Sequence, residues 1–146
     1  EKAVQNCQGF LIITLPGTPK DFNRLLFLRQ KFIEKNIPIL APCPHAKPCP
    51  LSNNDWCHFS VRLNRTQLHK NLKKGTLGYE DEKYCYLILG KNPADNYSRI
   101  IKRPLTHKGH MRISLCTPNG DETEQIFSQK LATYSTIKKK DWGDRL

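Results

Sequence analysis

The sequence predicts an α/β protein, because an apolar strand, an amphipathic helix and a second strand follow one another within residues 8–41. Residues 8–15 (QGFLIITL) form a continuous apolar run rich in β-branched side chains, which is typical of a strand covered on both faces of a parallel sheet. Strand, helix and strand in about thirty residues make a βαβ unit. We therefore predict that the upstream part of the chain contains a parallel sheet.

The helix of this unit has clear start signals. Pro16-Gly17 ends the first strand, Thr18 is in position to cap the helix, and Pro19 suits its first turn. The second strand covers residues 38–41. The apolar face of the helix, which continues to about Lys35, consists of Phe22, Leu25, Leu26, Leu28, Phe32 and Ile33.

Downstream, the chain divides into a loop, a basic helix and several strands. The loop at 42–59 is rich in proline and cysteine and lacks hydrophobic periodicity. The predicted elements are a helix at 66–74, a buried strand at 83–89, and short strands at 99–103, 109–117 and 122–130, the last two joined by a turn at 118–120. The predicted segments are 1–41 (βαβ unit), 42–60 (cysteine-rich loop), 61–98 (basic helix and buried strand) and 99–146 (antiparallel strands and tail).

Length and composition limit the class of protein. The chain has 146 residues, of which 38% are hydrophobic and 25% charged, so it has the size and composition of one globular domain. The longest apolar run, residues 9–15, is far shorter than the roughly 20 residues that a membrane helix needs. We expect no membrane span.

The charge balance points to a polyanionic partner. The chain carries 24 Lys and Arg against 13 Asp and Glu, a net charge of +11, and most of the excess lies downstream of residue 60. Basic clusters alternate with Tyr97, His107 and His110, which favours contacts with nucleic-acid phosphates. An anionic membrane is a weaker rival, because the clusters lack a long amphipathic helix.

Three of the six cysteines lie in the proline-rich loop with the spacing Cys-x5-Cys-x7-Cys. These are Cys43, Cys49 and Cys57, and Cys116 at the end of a strand is the natural fourth ligand. The spacing lacks the tight pairs of most structural zinc sites, whereas an iron-sulfur cluster tolerates ligands set further apart. Zinc and disulfides remain alternatives.

The remaining cysteines and two histidines are given other roles. Cys85 lies in an apolar strand and is interpreted as a core residue, and nothing recommends Cys7 as a ligand. His45 and His58 each lie one or two residues from a loop cysteine, so we expect them to form hydrogen bonds near the centre rather than to ligate it.

Several motifs are spread over nearly the whole chain. They are Pro16-Gly17-Thr18-Pro19, Ala41-Pro42-Cys43-Pro44-His45, Cys49-Pro50-Leu51, Asp55-Trp56-Cys57-His58-Phe59 with Arg62 and Arg65, Tyr79-Glu80-Asp81-Glu82-Lys83, Gly109-His110, Leu115-Cys116-Thr117-Pro118 and Trp142-Gly143-Asp144. Together these motifs resemble a known family, the methyltransferase-like proteins of the mitochondrial small ribosomal subunit, which has bacterial members and acts in small-subunit assembly.

The resemblance implies that Cys43, Cys49, Cys57 and Cys116 hold a 4Fe-4S cluster. It also implies that the βαβ unit ends a Rossmann-like methyltransferase domain and that the downstream strands form a small antiparallel, OB-like appendage. Tyr84-Cys85-Tyr86 departs mildly from the family pattern. The chain lacks the glycine-rich strand-to-helix turn that binds S-adenosylmethionine, so it looks like the C-terminal part of a family member, and we do not expect it to bind that cofactor alone.

The favoured function is a component or assembly factor of the small ribosomal subunit, with small-subunit rRNA and ribosomal proteins as partners. The resemblance implies the mitochondrial matrix, with a bacterial cytoplasm as the alternative. Other hypotheses are an rRNA methyltransferase in the intact protein, a zinc-stabilised RNA-binding module, and a nuclease using His107, His110 and Asp121. The candidate RNA contacts are Arg62, Arg65, Lys70, Lys73, Lys74, Arg103 and Lys108.

Overall fold

A computed structural model describes residues 9–51, 55–92 and 96–146, which form two antiparallel sheets and accompanying helices. The first sheet contains β1 (Leu11–Pro16), β2 (Ile39–Ala41), β3 (Phe59–Asn64) and β4 (Tyr79–Leu89). The second contains β5 (Arg99–Ile100), β6 (Leu105–His107), β7 (His110–Cys116) and β8 (Glu122–Ser128). The helices are α1 (Pro19–Glu34), α2 (Gln67–Lys73) and α3 (Tyr134–Ile137).

Strand β4 is the centre of the first sheet. Strand β1 pairs along one edge of β4, from Leu11 opposite Leu89 to Pro16 opposite Tyr84. Strands β2 and β3 pair one after the other along the opposite edge. The predicted order of strand, helix and strand is confirmed, but the predicted parallel pairing is wrong: β1 and β2 run in the same direction with antiparallel β4 between them.

Helix α1 packs its buried face against this sheet. Its start is as predicted, because the Thr18 side chain accepts a hydrogen bond from the backbone N–H of Asp21 at 3.1 Å, and Pro19 is the first helical residue. The buried positions of the helix are Phe22, Leu25 and Arg29. Leu25 joins Cys85, Leu87 and Leu89 of β4 in one apolar core.

The second sheet is built around β7. Strands β5 and β6 pair along one edge of β7, and β8 pairs along the other. The predicted hairpin is confirmed, with a turn at 117–121 in which Gly120 has a φ of 89°. A second core packs against this sheet and contains Ile100, Met111, Ile113, Leu115 and Ile137.

Some elements differ from the prediction. The expected helix at 66–74 is α2, capped by the Thr66 side chain, and the expected strand at 99–103 is limited to Arg99–Ile100. Strand β4 begins at Tyr79, four residues earlier than predicted, because its polar first half pairs with β3. Strands β3 and β6 and helix α3 were not predicted. Strand β6 and helix α3 are too short for a clear pattern, whereas β3 alternates apolar and polar residues and its strand signal was overlooked.

The loop between β2 and β3 lies where the two sheets approach each other. Within its described residues, no regular helix or strand forms before Phe59. None of the helices in the described ranges is long and apolar enough to cross a membrane.

Candidate metal centre

The four predicted ligand cysteines converge on one cavity. Cys43, Cys49 and Cys57 reach it from the β2–β3 loop, and Cys116 reaches it from the end of β7 in the other sheet. The cavity has a volume of about 40 Å³, whereas a single water molecule needs roughly 10–15 Å³ of such space. The structure therefore brings together cysteines that lie far apart in the sequence, around a cavity larger than a single water molecule needs.

The position of Cys116 follows from the strand that carries it. Along β7, the side chains of Met111, Ile113 and Leu115 are buried in the core of the second sheet. Cys116 is the last residue of the strand, paired with Arg99 on one side and Glu122 on the other, and it is also buried. Its backbone is thus fixed by neighbouring strands on both sides.

Three side chains hold the loop that carries the other cysteines. Arg29 donates hydrogen bonds to the carbonyl oxygens of His45 and Lys47, both at 2.8 Å. From the second sheet, Arg99 donates to the carbonyl oxygen of Pro42 at 3.0 Å. The hydroxyl of Tyr97 lies 3.1, 3.3 and 3.4 Å from the carbonyl oxygens of Leu40, Pro42 and Cys43. Backbone carbonyls in a loop of this kind need such donors because no strand partner supplies them.

The thiols resist ionisation in the absence of a metal. Burial and the neighbouring Cys43 and Cys49 raise the pKa of Cys116 to about 12. Burial also raises the pKa of Cys49, and burial together with the other cysteines raises the pKa of Cys57 well above its ordinary value. These three thiols are protonated at neutral pH, so metal ligation must release protons and is favoured as pH rises.

The spread of the sulfur atoms bears on which metal group fits. In a tetrahedral zinc site with Zn–S bonds of about 2.3 Å, all ligand sulfurs lie about 3.8 Å apart. Among the residues that the structure describes, no three cysteine sulfurs all lie within 4.8 Å of one another. A 4Fe-4S cube places each thiolate on a different iron and so needs a wider set. Four soft thiolates around a cavity of this kind fit the cluster better than a single ion.

Two histidines neighbour the cysteines, as expected. The Nε2 atom of His45 lies 3.3 Å from the Cys116 sulfur, and its Nδ1 atom lies 3.2 Å from the Lys47 carbonyl oxygen. Burial, with Arg29 beside the ring, lowers the pKa of His45 and keeps the imidazole neutral at neutral pH. His58 stacks on Trp56, and its Nδ1 lies 3.0 Å from the Trp56 carbonyl oxygen.

Cys85 is separate from the four cysteines described above. Cys85 is 1% exposed in the core of the first sheet, and its thiol donates to the Pro16 carbonyl oxygen at 3.4 Å. It also borders the cavity from the side of β4, which is consistent with a packing role at the wall. Cys7 lies outside the described residues.

The predicted RNA contacts fall into two groups. Arg62, Arg65 and Lys73 are already paired with acidic side chains of β4 (Asp81, Glu80 and Glu82). Lys70, Lys74, Arg103 and Lys108 form no ion pair in the part of the chain that the structure describes. Lys108 lies at the tip of the β6–β7 hairpin. Within the described ranges, no hydrogen bond or ion pair joins it to β3 or α2, which lie in the region of the other candidate contacts.

The residues proposed for a nuclease do not form one site. His107 and His110 stack with ring centroids 4.9 Å apart at one end of β7. Asp121 follows the opposite end of that seven-residue strand, roughly 20 Å away at the usual rise per residue, and its carboxylate accepts a hydrogen bond from Thr117. The structure therefore does not bring together the three residues of the nuclease hypothesis.

Sequence reasoning missed the residues that hold the loop. Arg29 follows Phe22 and Leu25 at helical spacing on the buried face of α1, so a charged residue on an apolar stripe was the available signal. Arg99 and Tyr97 carried no such signal, because their role depends on contacts with Pro42 and Leu40 more than fifty positions away.

Comparison with known proteins gives a consistent result. The family model described as mitochondrial small ribosomal subunit Rsm22 matches residues 1–146. The human mitochondrial ribosome assembly protein METTL17 is 28% identical over 114 residues, which cover 74% of this chain and 24% of that protein. The mitochondrial ribosome assembly protein RSM22 of Saccharomyces cerevisiae is 23% identical over 175 residues, covering 73% of this chain and 28% of that protein.

A third relative, the mitochondrial Rsm22-cox11 tandem protein 2 of Schizosaccharomyces pombe, is 24% identical over 186 residues, covering 97% of this chain and 25% of that protein. The chain thus spans about a quarter of the length of the curated relatives it matches. The mitochondrial location expected from the resemblance is confirmed at the level of the family. On the match over its full length, the chain belongs to the Rsm22 family of the mitochondrial small ribosomal subunit.

Proposed function

We propose that this chain acts in assembly of the mitochondrial small ribosomal subunit, binds small-subunit rRNA, and is held in its binding conformation by a 4Fe-4S cluster on Cys43, Cys49, Cys57 and Cys116. The observation that carries the proposal is the convergence of these four cysteines, from a loop of one sheet and a strand of the other, on a single cavity. The names of the relatives support the assembly role.

The role proposed for the cluster is structural. Three ligands lie in a loop that has no core of its own, whereas Cys116 belongs to a strand with paired neighbours on both edges. Ligation by all four residues would crosslink the loop to the second sheet. The Lys47 ammonium group, which donates to the Asn119 carbonyl oxygen at 2.8 Å, makes a weaker link of the same kind.

The surface around α2 is the proposed RNA contact. It carries Lys70 and Lys74. Arg103 is exposed and lies close enough to Asp81 to lower the pKa of that carboxyl, as Arg62 also does. Cations of this kind bind phosphates without reading base sequence, and a rigid surface limits the entropy lost on binding. Partners would be small-subunit rRNA and the ribosomal proteins around it.

The finer fold implied by the resemblance is part of the same proposal. Strand β1 pairs with β4 on one edge, and no described strand pairs with its other edge. In longer members of the family, this edge could join the rest of a Rossmann-like sheet. The strands of the second sheet would then be the OB-like appendage. The absence of a glycine-rich turn in this sequence favours a binding role for the chain over methyl transfer.

The test is to replace Cys49 by alanine in anaerobically purified protein. We expect the wild-type chain to contain iron and acid-labile sulfide and to show the brown absorption of a cluster, and the Cys49→Ala variant to lose both. The matched control is Cys85→Ala, which removes a cysteine that lies outside the proposed ligand set and should retain the colour. Zinc without sulfide in the wild-type chain would instead support the zinc-stabilised module.

A second arm tests RNA binding. We expect the wild-type chain to bind small-subunit rRNA in a salt-dependent manner. The Cys49→Ala variant should bind more weakly because its loop is no longer crosslinked to the second sheet. Equal binding by both proteins would contradict the structural role of the cluster.

A further inference from the structure

Arg29 is a buried cation with no anionic partner among the residues that the structure describes. Its side chain comes from the middle of α1, and the residue is only 4% exposed. Its Nε donates to the Cys43 sulfur at 3.3 Å, and its Nη2 donates to the carbonyl oxygens of His45 and Lys47. Nη2 also lies 3.5 Å from Nδ1 of His45. No carboxylate forms an ion pair with it in the part of the chain that the structure describes.

Such an arrangement is unfavourable if the surrounding groups stay neutral. Moving an unpaired charge out of water costs several kcal/mol even after the protein relaxes, and an arginine cannot escape the cost by losing its proton. The groups that contact the guanidinium are a thiol, an imidazole and two backbone carbonyls, and none of them is a carboxylate. The charge of Arg29 therefore implies that an anion belongs next to it.

A centre ligated by four thiolates supplies that anion. Ligation removes the thiol protons, and four thiolates exceed the positive charge of a [4Fe-4S]2+ core, so the ligated centre is negatively charged overall. Arg29 is in position to face this charge, since its Nε lies 3.3 Å from the Cys43 sulfur.

We infer that Arg29 is the positioning residue of the metal centre: its guanidinium compensates the negative charge of the ligated thiolates and holds Cys43 in place for ligation. This inference rests on the proposed function. It assigns a role in the centre to a residue of α1, an element that contributes no ligand.

Two nitrogen atoms of the guanidinium contact different parts of the loop. The Nε–H group points at the Cys43 sulfur, whereas Nη2 fixes the backbone of His45 and Lys47. His45, held in this way, places its Nε2 3.3 Å from the Cys116 sulfur. Arg29 thus contacts one ligand directly and a second through His45.

The charge has a consequence that a purely structural role would not have. One-electron reduction adds a negative charge to a cluster, and a nearby positive charge with an N–H donor to a ligand sulfur stabilises the reduced form. Removing the charge should make the midpoint potential of the cluster more negative. A lysine should preserve the charge but lose the planar fork that binds two carbonyls.

The experiment compares the loaded 146-residue chain with its Arg29→Gln, Arg29→Lys and Arg24→Gln variants. Arg24 is the matched control, because it lies on the same helix but is exposed and paired with Asp21. The readouts are the midpoint potential, from a redox titration followed by visible absorption, and the rate at which a chelator removes iron.

We expect Arg29→Gln to have a more negative potential and to release iron about tenfold faster or more, in the range typical of lost hydrogen bonds to metal ligands. Arg29→Lys should keep a potential near that of wild type while still releasing iron faster, and Arg24→Gln should match wild type in both readouts. An unchanged potential in a fully loaded Arg29→Gln variant would overturn the inference.

If Arg29→Gln fails to assemble, the lysine variant decides. Wild-type iron release from Arg29→Lys would overturn the positioning role, and a potential far below wild type would overturn the charge role. A wild-type chain that takes up no iron and sulfide would contradict the proposed function itself, so the two failures are distinguishable.

Discussion

Cys116 at the candidate metal centre differs from an ordinary surface thiol because burial and the neighbouring cysteines oppose its ionisation. Burial raises the pKa of Cys116 to about 12, while Arg29 lowers it. The balance keeps the thiol protonated until a metal competes for the sulfur, so the buried site does not hold four unpaired thiolates at once. The same surroundings make these thiols poor nucleophiles at neutral pH.

The sequence predicted these residues unequally well. Cys116 could be chosen because three loop thiolates need a fourth ligand and its strand was already recognisable. Arg29 could not be assigned a role, because its partners Cys43, His45 and Lys47 are brought to it by the return of the chain over α1. The basic residues were chosen by charge alone, and charge does not reveal which of them are already paired with acids.

This distinction predicts which cations dominate RNA binding. In Lys70→Gln/Lys74→Gln, we expect the slope of log K against log salt for small-subunit rRNA to fall by about 1.5, since each phosphate contact contributes roughly 0.7–0.9. Arg62→Gln should change the slope less, because the Arg62 guanidinium is held by two hydrogen bonds to Asp81 and lies over the Tyr79 ring. Filter binding over a series of salt concentrations measures the slopes. A larger effect of Arg62→Gln would show that the Asp81 pair opens on RNA.

At the scale of elements, local pattern predicted strands and helices better than their pairing. The apolar run in β1 predicts a strand covered on both faces, but this is wrong, because Ile12, Thr14 and Pro16 are exposed. Whether the neighbour of β1 is β2 or β4 depends on residues seventy positions downstream. Strand β3 does alternate apolar and polar residues (FSVRLN), so the sequence carried a strand signal that the prediction overlooked, although Val61 and Leu63 are exposed in the structure. Pairing with β4 nevertheless satisfies its backbone.

The junction between β1 and α1 depends on a close approach that only glycine permits. A Cβ atom on Gly17 would lie 2.7 Å from backbone atoms of Lys83 and Tyr84, while Gly17 N–H donates to the Lys83 carbonyl oxygen at 2.9 Å. We expect Gly17→Ala to destabilise the protein by about 1–3 kcal/mol, the usual cost of overpacking. Urea unfolding followed by tryptophan fluorescence would report it, since Trp56 Nε1–H donates to the Gly17 carbonyl oxygen.

The control for this substitution is Gly78→Ala, where a Cβ atom would meet nothing within 4 Å. It should leave the unfolding midpoint nearly unchanged. Equal midpoints for wild type and Gly17→Ala would mean that β4 can move away from the junction at little cost.

At the scale of the whole molecule, two separate cores meet at the cavity lined by the four cysteines. Leu25, Leu87 and Leu89 belong to the core of the first sheet, whereas Ile113 and Leu115 belong to that of the second. Polar contacts across the junction include that of Arg99 with the Pro42 carbonyl oxygen, and the Trp142 ring adds contacts with His58 and Phe59. We expect each sheet to keep its own core when the junction loosens, and the cysteine loop to be the part whose order depends most on the proposed ligation.

This arrangement predicts a local effect of removing the ligand that belongs to the second sheet. In Cys116→Ser, we expect amide hydrogen exchange to rise in the β2–β3 loop, at residues 42–51, while the amides of β4 and β7 stay protected. The loop loses its crosslink, whereas the ladders β1–β4 and β7–β8 keep their hydrogen bonds. Ser114→Ala, two residues earlier on β7, should leave the loop protected. Hydrogen–deuterium exchange mass spectrometry on the loaded wild type and both variants resolves these segments. Unchanged protection of the loop in Cys116→Ser would show that the order of the loop does not depend on the crosslink. Loss of protection throughout β7 would show that the second sheet does not stay folded without the crosslink.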